Sequence, residues 1–227
     1  MSRKQNGSVL ETPVTSQTHR AALAQALKAT ASKVPKQVVR VPAIDVRTMT
    51  IRLTGDTPLL CNKFSTKAKT QISDKQQKKA KQARAAKNPE ECFRDSLYPM
   101  PGKKGKYGFP ASGFKKSAVD SCSFVEGIFK SVAKGAFHVV GNLIEIEGPK
   151  PEMQEDIVRI GPVGRKVADI RYRGVFKDWS VRLLIRYNAN VISPEQIVNL
   201  FNVAGFSVGV GEWRPQRDGS NGTFHVV

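Results

Sequence analysis

The chain has 227 residues, with 37 Lys and Arg against 19 Asp and Glu, a formal net charge of +18. Its 40% apolar content suffices for a packed core and excludes collagen-like and wholly disordered classes, and no apolar run approaches a membrane span. An excess of positive charge on this scale points to a polyanionic partner, nucleic acid first and an anionic membrane surface second.

The charge is concentrated. Residues 1–43 carry seven Lys and Arg and one acid, and residues 62–88 carry nine and one, so the two segments hold +14 of the +18. Solubility alone does not require that. The cysteines, Cys61, Cys92 and Cys122, are odd in number and form no C-x-x-C pair. This argues against a disulfide scaffold and suits a reducing, cytoplasmic location. His19, His138 and His225 pair with no cysteine at ligand spacing, so no metal and no other cofactor is expected. The start lacks the apolar stretch of a secretory signal.

Residues 1–43 are rich in Ser, Thr, Gln and Ala and are expected to form a basic, largely flexible arm. Within it Arg20–Ser32 has the propensity for a short helix with a thin apolar stripe. The arm is either a flexible tail or a contact to nucleic acid. From residue 44 onward a folded domain is expected. Asp45–Thr54 alternates, with Met49, Ile51 and Leu53 on one face and Thr50 and Arg52 on the other, a first strand.

Residues 56–110 then read as a long insertion, containing a basic helix over 65–87 that ends at Asn88-Pro89. This helix lacks a core-facing stripe, so it projects into solvent or lies on a partner. One acid among eight bases gives poor internal ion pairing, and a bound polyanion removes the self-repulsion. Lys67, Lys69, Lys75, Lys78, Lys79, Lys81 and Arg84 are therefore candidate phosphate contacts.

Ser112–Ala133 predicts a helix, with Phe114, Ala118, Cys122, Val125, Phe129 and Val132 as its stripe. Ser112 is the expected N-cap, which puts Lys115 and Lys116 in the first turn. Cations there oppose the helix dipole unless an anion binds. Further strands are expected over Ala136–Val140, Asn142–Glu147, Val167–Arg173 and Val181–Tyr187; in the last, Arg182 and Arg186 face away from the apolar side and are candidate nucleic-acid contacts. His138 is read as structural. Ser193-Pro194-Glu195-Gln196 predicts a capping box opening a second helix. Gly205 is its expected left-handed stop, followed by strands at Phe206–Gly211 and Thr223–Val227. In the Gly-rich tail, Gly209, Gly211, Gly219 and Gly222 are expected to allow close backbone approach to a ligand, with Trp213 a candidate for base stacking and Arg214 and Arg217 for phosphate.

The expected class is α+β: a ferredoxin-like, RRM-like βαββαβ core with a long basic helical insertion after strand 1 and a Gly-rich C-terminal hairpin. No aromatic RNP signature is present.

The Tyr-x-x-Pro-Ala-Ser-x-Phe-Lys-Lys pattern over 107–116 resembles a segment of the RAMP superfamily (repeat-associated mysterious proteins). The Gly-rich tail with its terminal Gly-x-Phe-x-Val strand resembles that superfamily's glycine-rich loop, and Thr57-Pro58-Leu59-Leu60 sits at its exit from strand 1. The likeness covers 44–227 and is nearest to the CRISPR backbone-type subunits, or a free-standing phage or prophage relative. It implies phosphate contacts at Ser112, Lys115, Lys116, Arg214 and Arg217. It also implies a non-enzymatic protein coating single-stranded nucleic acid, RNA favoured over DNA, as self-associating repeated copies with no membrane partner. The alternatives are a phage-type single-stranded-DNA-binding or annealing protein, a RAMP-type RNA endonuclease using Asp56, and a basic packaging protein.

Overall fold

In the computed structural model, Val46–Gly55 forms strand β1 and Ser180–Asn188 forms β8, and the two pair antiparallel along their whole length. Alternation decides their orientation. Ile51, Leu53, Val181, Leu183 and Ile185 are buried on one face, while Thr50, Arg52, Arg182, Leu184 and Arg186 are exposed on the other. The structure describes residues 41–79, 86–162 and 164–227, together with Ala21, Ala24 and Gln25. Most of the basic arm, including most of its Arg20–Ser32 helix, and the candidate contacts Lys81 and Arg84 lie outside the described residues.

Two short strands complete the main sheet, β4 (Phe137–Val139) beside β8 and β9 (Phe224–Val226) beside β1, giving the antiparallel order β4-β8-β1-β9. Its apolar face is covered by helices α3 (Ala111–Ser121) and α5 (Pro194–Ser207). Phe114, Phe137 and Phe201 are fully buried between the layers, and truncating one to alanine costs about 3–5 kcal/mol. Edge-to-face aromatic pairs link Phe109 to Phe114, Phe114 to Phe224, and Phe224 to Trp179.

A second antiparallel sheet has the order β2-β7-β6, from Leu59–Cys61, Val167–Phe176 and Glu152–Ile160. A two-stranded pair joins β3 (Gly108–Pro110) to β5 (Leu143–Glu145). The mixed α+β class with antiparallel sheets agrees with the sequence expectation. The residues Ile44–Val227 cluster as one unit, and none of the helices among the described residues is long and apolar enough to cross a membrane.

Several local expectations are corrected. The helix expected over Ser112–Ala133 is broken: α3 stops at Ser121, a 3-10 turn spans Cys122–Phe124, and α4 covers Lys130–Ala136. Gly127, at φ +84°, supplies the break, and Phe129 and Val132 are exposed rather than part of a buried stripe. Asn88-Pro89 opens a helix instead of ending one: Asn88 caps α2 (Pro89–Ser96), its side chain accepting from the Glu91 amide at 3.3 Å. The capping box at Ser193 and Gln196 is formed as expected.

Gly205 is not the helix stop. It is buried within α5, where the backbone of Phe224 leaves no room for a side chain. The left-handed residue is Gly209, whose amide bonds the Ala204 carbonyl. The strand expected over Phe206–Gly211 is therefore absent, since residues 206 and 207 are helical, and the tail is a coiled loop with a 3-10 turn at Pro215–Arg217 rather than a hairpin. The strand β6 escaped the sequence reading because its exposed pattern carries charge at both faces.

Candidate nucleic-acid interface

Helix α1 (Thr66–Gln76) starts at Ser65, whose hydroxyl accepts from the Ala68 amide at 3.1 Å. The helix has no buried residue among those described, and even its Ile72 is exposed. Lys67, Lys69, Lys75, Lys78 and Lys79 are all exposed on it or just beyond it. Only Lys79 finds a carboxylate among the described residues, Asp74 at 2.9 Å. The helix is shorter than the 65–87 expected. Further along the chain, Lys87 bonds Asp169 and the Ile170 carbonyl of β7.

The start of α3 and the Gly-rich loop meet across a cleft of about 200 Å³ lined by Asn62, Tyr98, Gly113, Lys116, Gly211 and Arg214, among others. The cations here are already engaged. Lys116 Nζ lies 2.9 Å from Asp120 Oδ2, which also accepts from Gln216 Nε2 at 3.0 Å. Arg214 donates to the Gly211 carbonyl at 3.0 Å and to Gln216 Oε1 at 3.0 and 3.3 Å. Burial pushes the Asp120 carboxyl up, but the hydrogen bonds from Gln216 and Lys116 and the charges of Lys116 and Lys130 outweigh it and hold the group below its ordinary range.

The helix-start reading changes accordingly. The N-cap is Pro110, without a side-chain cap bond, and Ser112 is an exposed second residue of α3. Lys115 and Lys116 thus fall in the second turn, beyond the free amides. The glycines also differ from expectation. A side chain on Gly211 would meet the Leu60 carbonyl at 2.6 Å, one on Gly209 would meet Pro215 at 2.8 Å, and Gly222 is closed off by the Val210 carbonyl. They serve close packing of the loop on itself and on β2, not approach of a ligand. Trp213 is half-exposed in a left-handed conformation, and Arg217 is exposed.

The open face of the main sheet carries a third set of cations. Arg52 and Arg182 are register partners, an unfavourable opposition of like charges. Glu147 bridges them, at 3.3 Å to Arg52 and 2.7 Å to Arg182. Arg186 lies four residues along β8 from Arg182, opposite His138 on β4. His138 is exposed on this face, not structural as expected. The alternation in β1 already put Arg52 on this face; Glu147 carries no sequence signal for its bridging role.

At the other end of the sheet Asp56, just after β1, holds His225 of β9, Oδ1 to Nδ1 at 2.6 Å. Among the described residues no three His, Cys, Asp or Glu side chains gather to hold a metal ion. Burial pushes the Cys61 thiol up to about 12, far from a reactive thiolate.

The chain matches no protein-family profile and no curated protein. Its fold is similar to that of a chain in the cryo-EM structure of type III-B Cmr-β bound to cognate target RNA, at 13% identity and a TM-score of 0.50. The match covers 93% of this chain and 64% of that one, so the chain spans under two thirds of its neighbour. Cmr6 from Pyrococcus furiosus, seen in a crystal structure, matches at 12% identity and a TM-score of 0.42, with coverage of 82% and 100%.

Proposed function

We propose that this is a non-enzymatic, RAMP-like protein that binds single-stranded nucleic acid, RNA in preference to DNA, and coats the strand as repeated copies. Its βαββαβ sheet would be the ferredoxin-like palm of that superfamily. The observation that carries the reading is helix α1: a well-capped helix with no buried residue and a row of exposed lysines, four of which have no carboxylate among the described residues. Such a surface is costly unless an extended polyanion lies on it. The fold likeness to a chain solved with target RNA supports the same class of ligand.

The two ligand-facing regions complement each other. Phosphates along α1 give grip without reading bases, while Trp213, half-exposed on the Gly-rich loop, offers a base-stacking surface. Self-association is supported by the β6–β7 hairpin, where Met153, Ile157 and Ile170 stand exposed on one face.

The test is purification without nuclease, followed by sequencing of whatever nucleic acid accompanies the protein. A defined RNA is the expected result; genomic DNA fragments would favour the single-stranded-DNA reading, and no nucleic acid would sink both. Labelled single-stranded RNA incubated with the protein and Mg²⁺ is expected to stay intact. Cleavage lost in Asp56→Ala would make the Asp56–His225 pair catalytic and overturn the non-enzymatic reading.

A further inference from the structure

The main sheet ends on β4, and three side chains able to carry positive charge converge at that edge from three different elements. His138 points to the open face of β4. Its register partner across β8 is Arg186, which puts the two Cβ atoms about 5 Å apart. Lys115 reaches the same edge from α3. Its Nζ donates to the Lys134 carbonyl at 2.9 Å and lies 3.0 Å from His138 Nδ1. A lysine ammonium can only donate, so Nδ1 accepts and the imidazole carries its single proton on Nε2.

Like four of the α1 lysines, and unlike several other cations of the domain, this cluster has no carboxylate to balance it among the described residues. Lys79, Lys103, Lys106, Lys116, Arg52 and Arg182 each sit on a carboxylate. Lys115, His138 and Arg186 have none among the described residues. The groups facing His138 are Lys115 from α3, Arg186 from β8 and, from α4, the Lys134 carbonyl. Burial, then the charges of Lys115 and Arg186, hold the imidazole below the ordinary histidine range, and burial lowers Lys115. A basic cluster without a counter-ion is a site lacking its anion.

We propose that Lys115, His138 and Arg186 form a phosphate-binding site at the β4 edge, in which His138 takes up a proton as the phosphate binds. On binding, the Lys115–Nδ1 hydrogen bond breaks and the ammonium turns to the phosphate oxygens. A proton from solvent occupies Nδ1, and the imidazolium donates to the anion alongside the Arg186 guanidinium. On the nucleic-acid reading above, on which this proposal rests for its natural ligand, the phosphate belongs to the backbone of the bound strand.

The sign follows from linkage. The anion raises the midpoint of His138, so the extra affinity is fully present below the free-state value and is lost as pH rises through the bound-state value. A rise of about one pH unit corresponds to about tenfold in affinity.

Two measurements test this. In the first, the imidazole C2–H resonance of His138, identified by its loss in His138→Gln, is titrated by NMR with and without inorganic phosphate at constant ionic strength. The midpoint is expected to rise by about one pH unit with phosphate; an unmoved midpoint overturns the site. In the second, binding of a uridine oligonucleotide is compared at about pH 5.5 and about pH 8. The full chain is expected to bind about tenfold more tightly at the lower pH, relative to His138→Gln. His225→Gln, which alters the other described histidine, should keep the gain.

If the strand binds but His138→Gln shows the same pH dependence as the unaltered chain, the site is wrong and the nucleic-acid reading stands. If no strand binds at either pH, that reading fails, and the NMR titration still decides the phosphate site by itself.

Discussion

Helix α1 and the cleft at the start of α3 carry similar residues and hold them in opposite conditions. On α1 the lysines stand in water, with a single ion pair among the described residues. At the cleft, Lys116 and Arg214 are bound into a chain that runs through Asp120 and Gln216 to the Gly211 carbonyl. The first set costs folding energy through self-repulsion and returns it when an anion arrives; the second already spends its charge on holding the Gly-rich loop to the helix. A count of basic residues cannot tell these apart, because the distinction lies in whether a carboxylate or carbonyl from a distant part of the chain reaches each cation.

The largest effect expected from that contrast is on α1. Changing Lys67, Lys69, Lys75, Lys78 and Lys79 together to Gln should leave the fold intact, since none of them is buried. Each phosphate contact on a single strand contributes about −0.7 to the slope of log K against log salt, so the slope should flatten by about 3.5 and binding at low salt should weaken by about 100-fold or more. Titrations at several salt concentrations, with circular dichroism as the folding control, decide it. An unchanged slope would make α1 a solvated appendage.

The loop should respond in stability rather than in salt dependence. Gly211 has φ +81° and a side chain there would press on the Leu60 carbonyl. Gly211→Ala is therefore expected to cost about 1–3 kcal/mol in urea unfolding, while the salt slope of the folded protein stays as it was. A variant of unchanged stability that lost affinity would return this glycine to the role of admitting a ligand.

What was legible in the sequence divides along the same physical line. The strand alternation of β1 and β8 and the Ser193–Gln196 box are local signals, and the elements formed where those signals stood. The long helix after Pro110 was misjudged because a stripe that fits helical spacing continued past a glycine, and only packing shows that Phe129 turns outward. The tail was misread because its glycines admit the chain's own backbone, from Leu60 and Val210, which no local pattern announces. The pairing of Lys116 with Asp120 lay within reach, four residues apart on one helix. Its extension to Gln216, and the meeting of Lys115 with His138, join residues far apart in the chain.

At the cleft, Lys116→Gln is the direct counterpart of the α1 variant. Because Asp120 already offsets this charge, the loss of strand affinity should stay within about 1.5-fold, less than the roughly 2.5-fold per lysine that a loss of about 100-fold over five lysines implies on α1. A loss matching that of an α1 lysine would erase the difference between the two regions and make Lys116 a phosphate contact in its own right.

The smallest effect, and the one that isolates the network, is on the pH dependence of stability. Asp120 is held below its ordinary range in the folded chain, since the bonds from Gln216 and Lys116 outweigh the opposing effect of burial. A carboxyl depressed in this way stabilises the fold above its unfolded value, and the contribution is lost as pH falls through the folded value. Asp120→Asn keeps an oxygen for Gln216 and Lys116 and removes only the charge. Relative to the unaltered chain it should cost about 1 kcal/mol at neutral pH, and the gap should close as the pH falls through the depressed folded-state value of Asp120. Urea unfolding of both proteins across that range reads it directly. A gap that persists undiminished in acid would mean that Asp120 acts through shape and hydrogen bonding alone, and that Lys116 has charge to spare for a ligand after all.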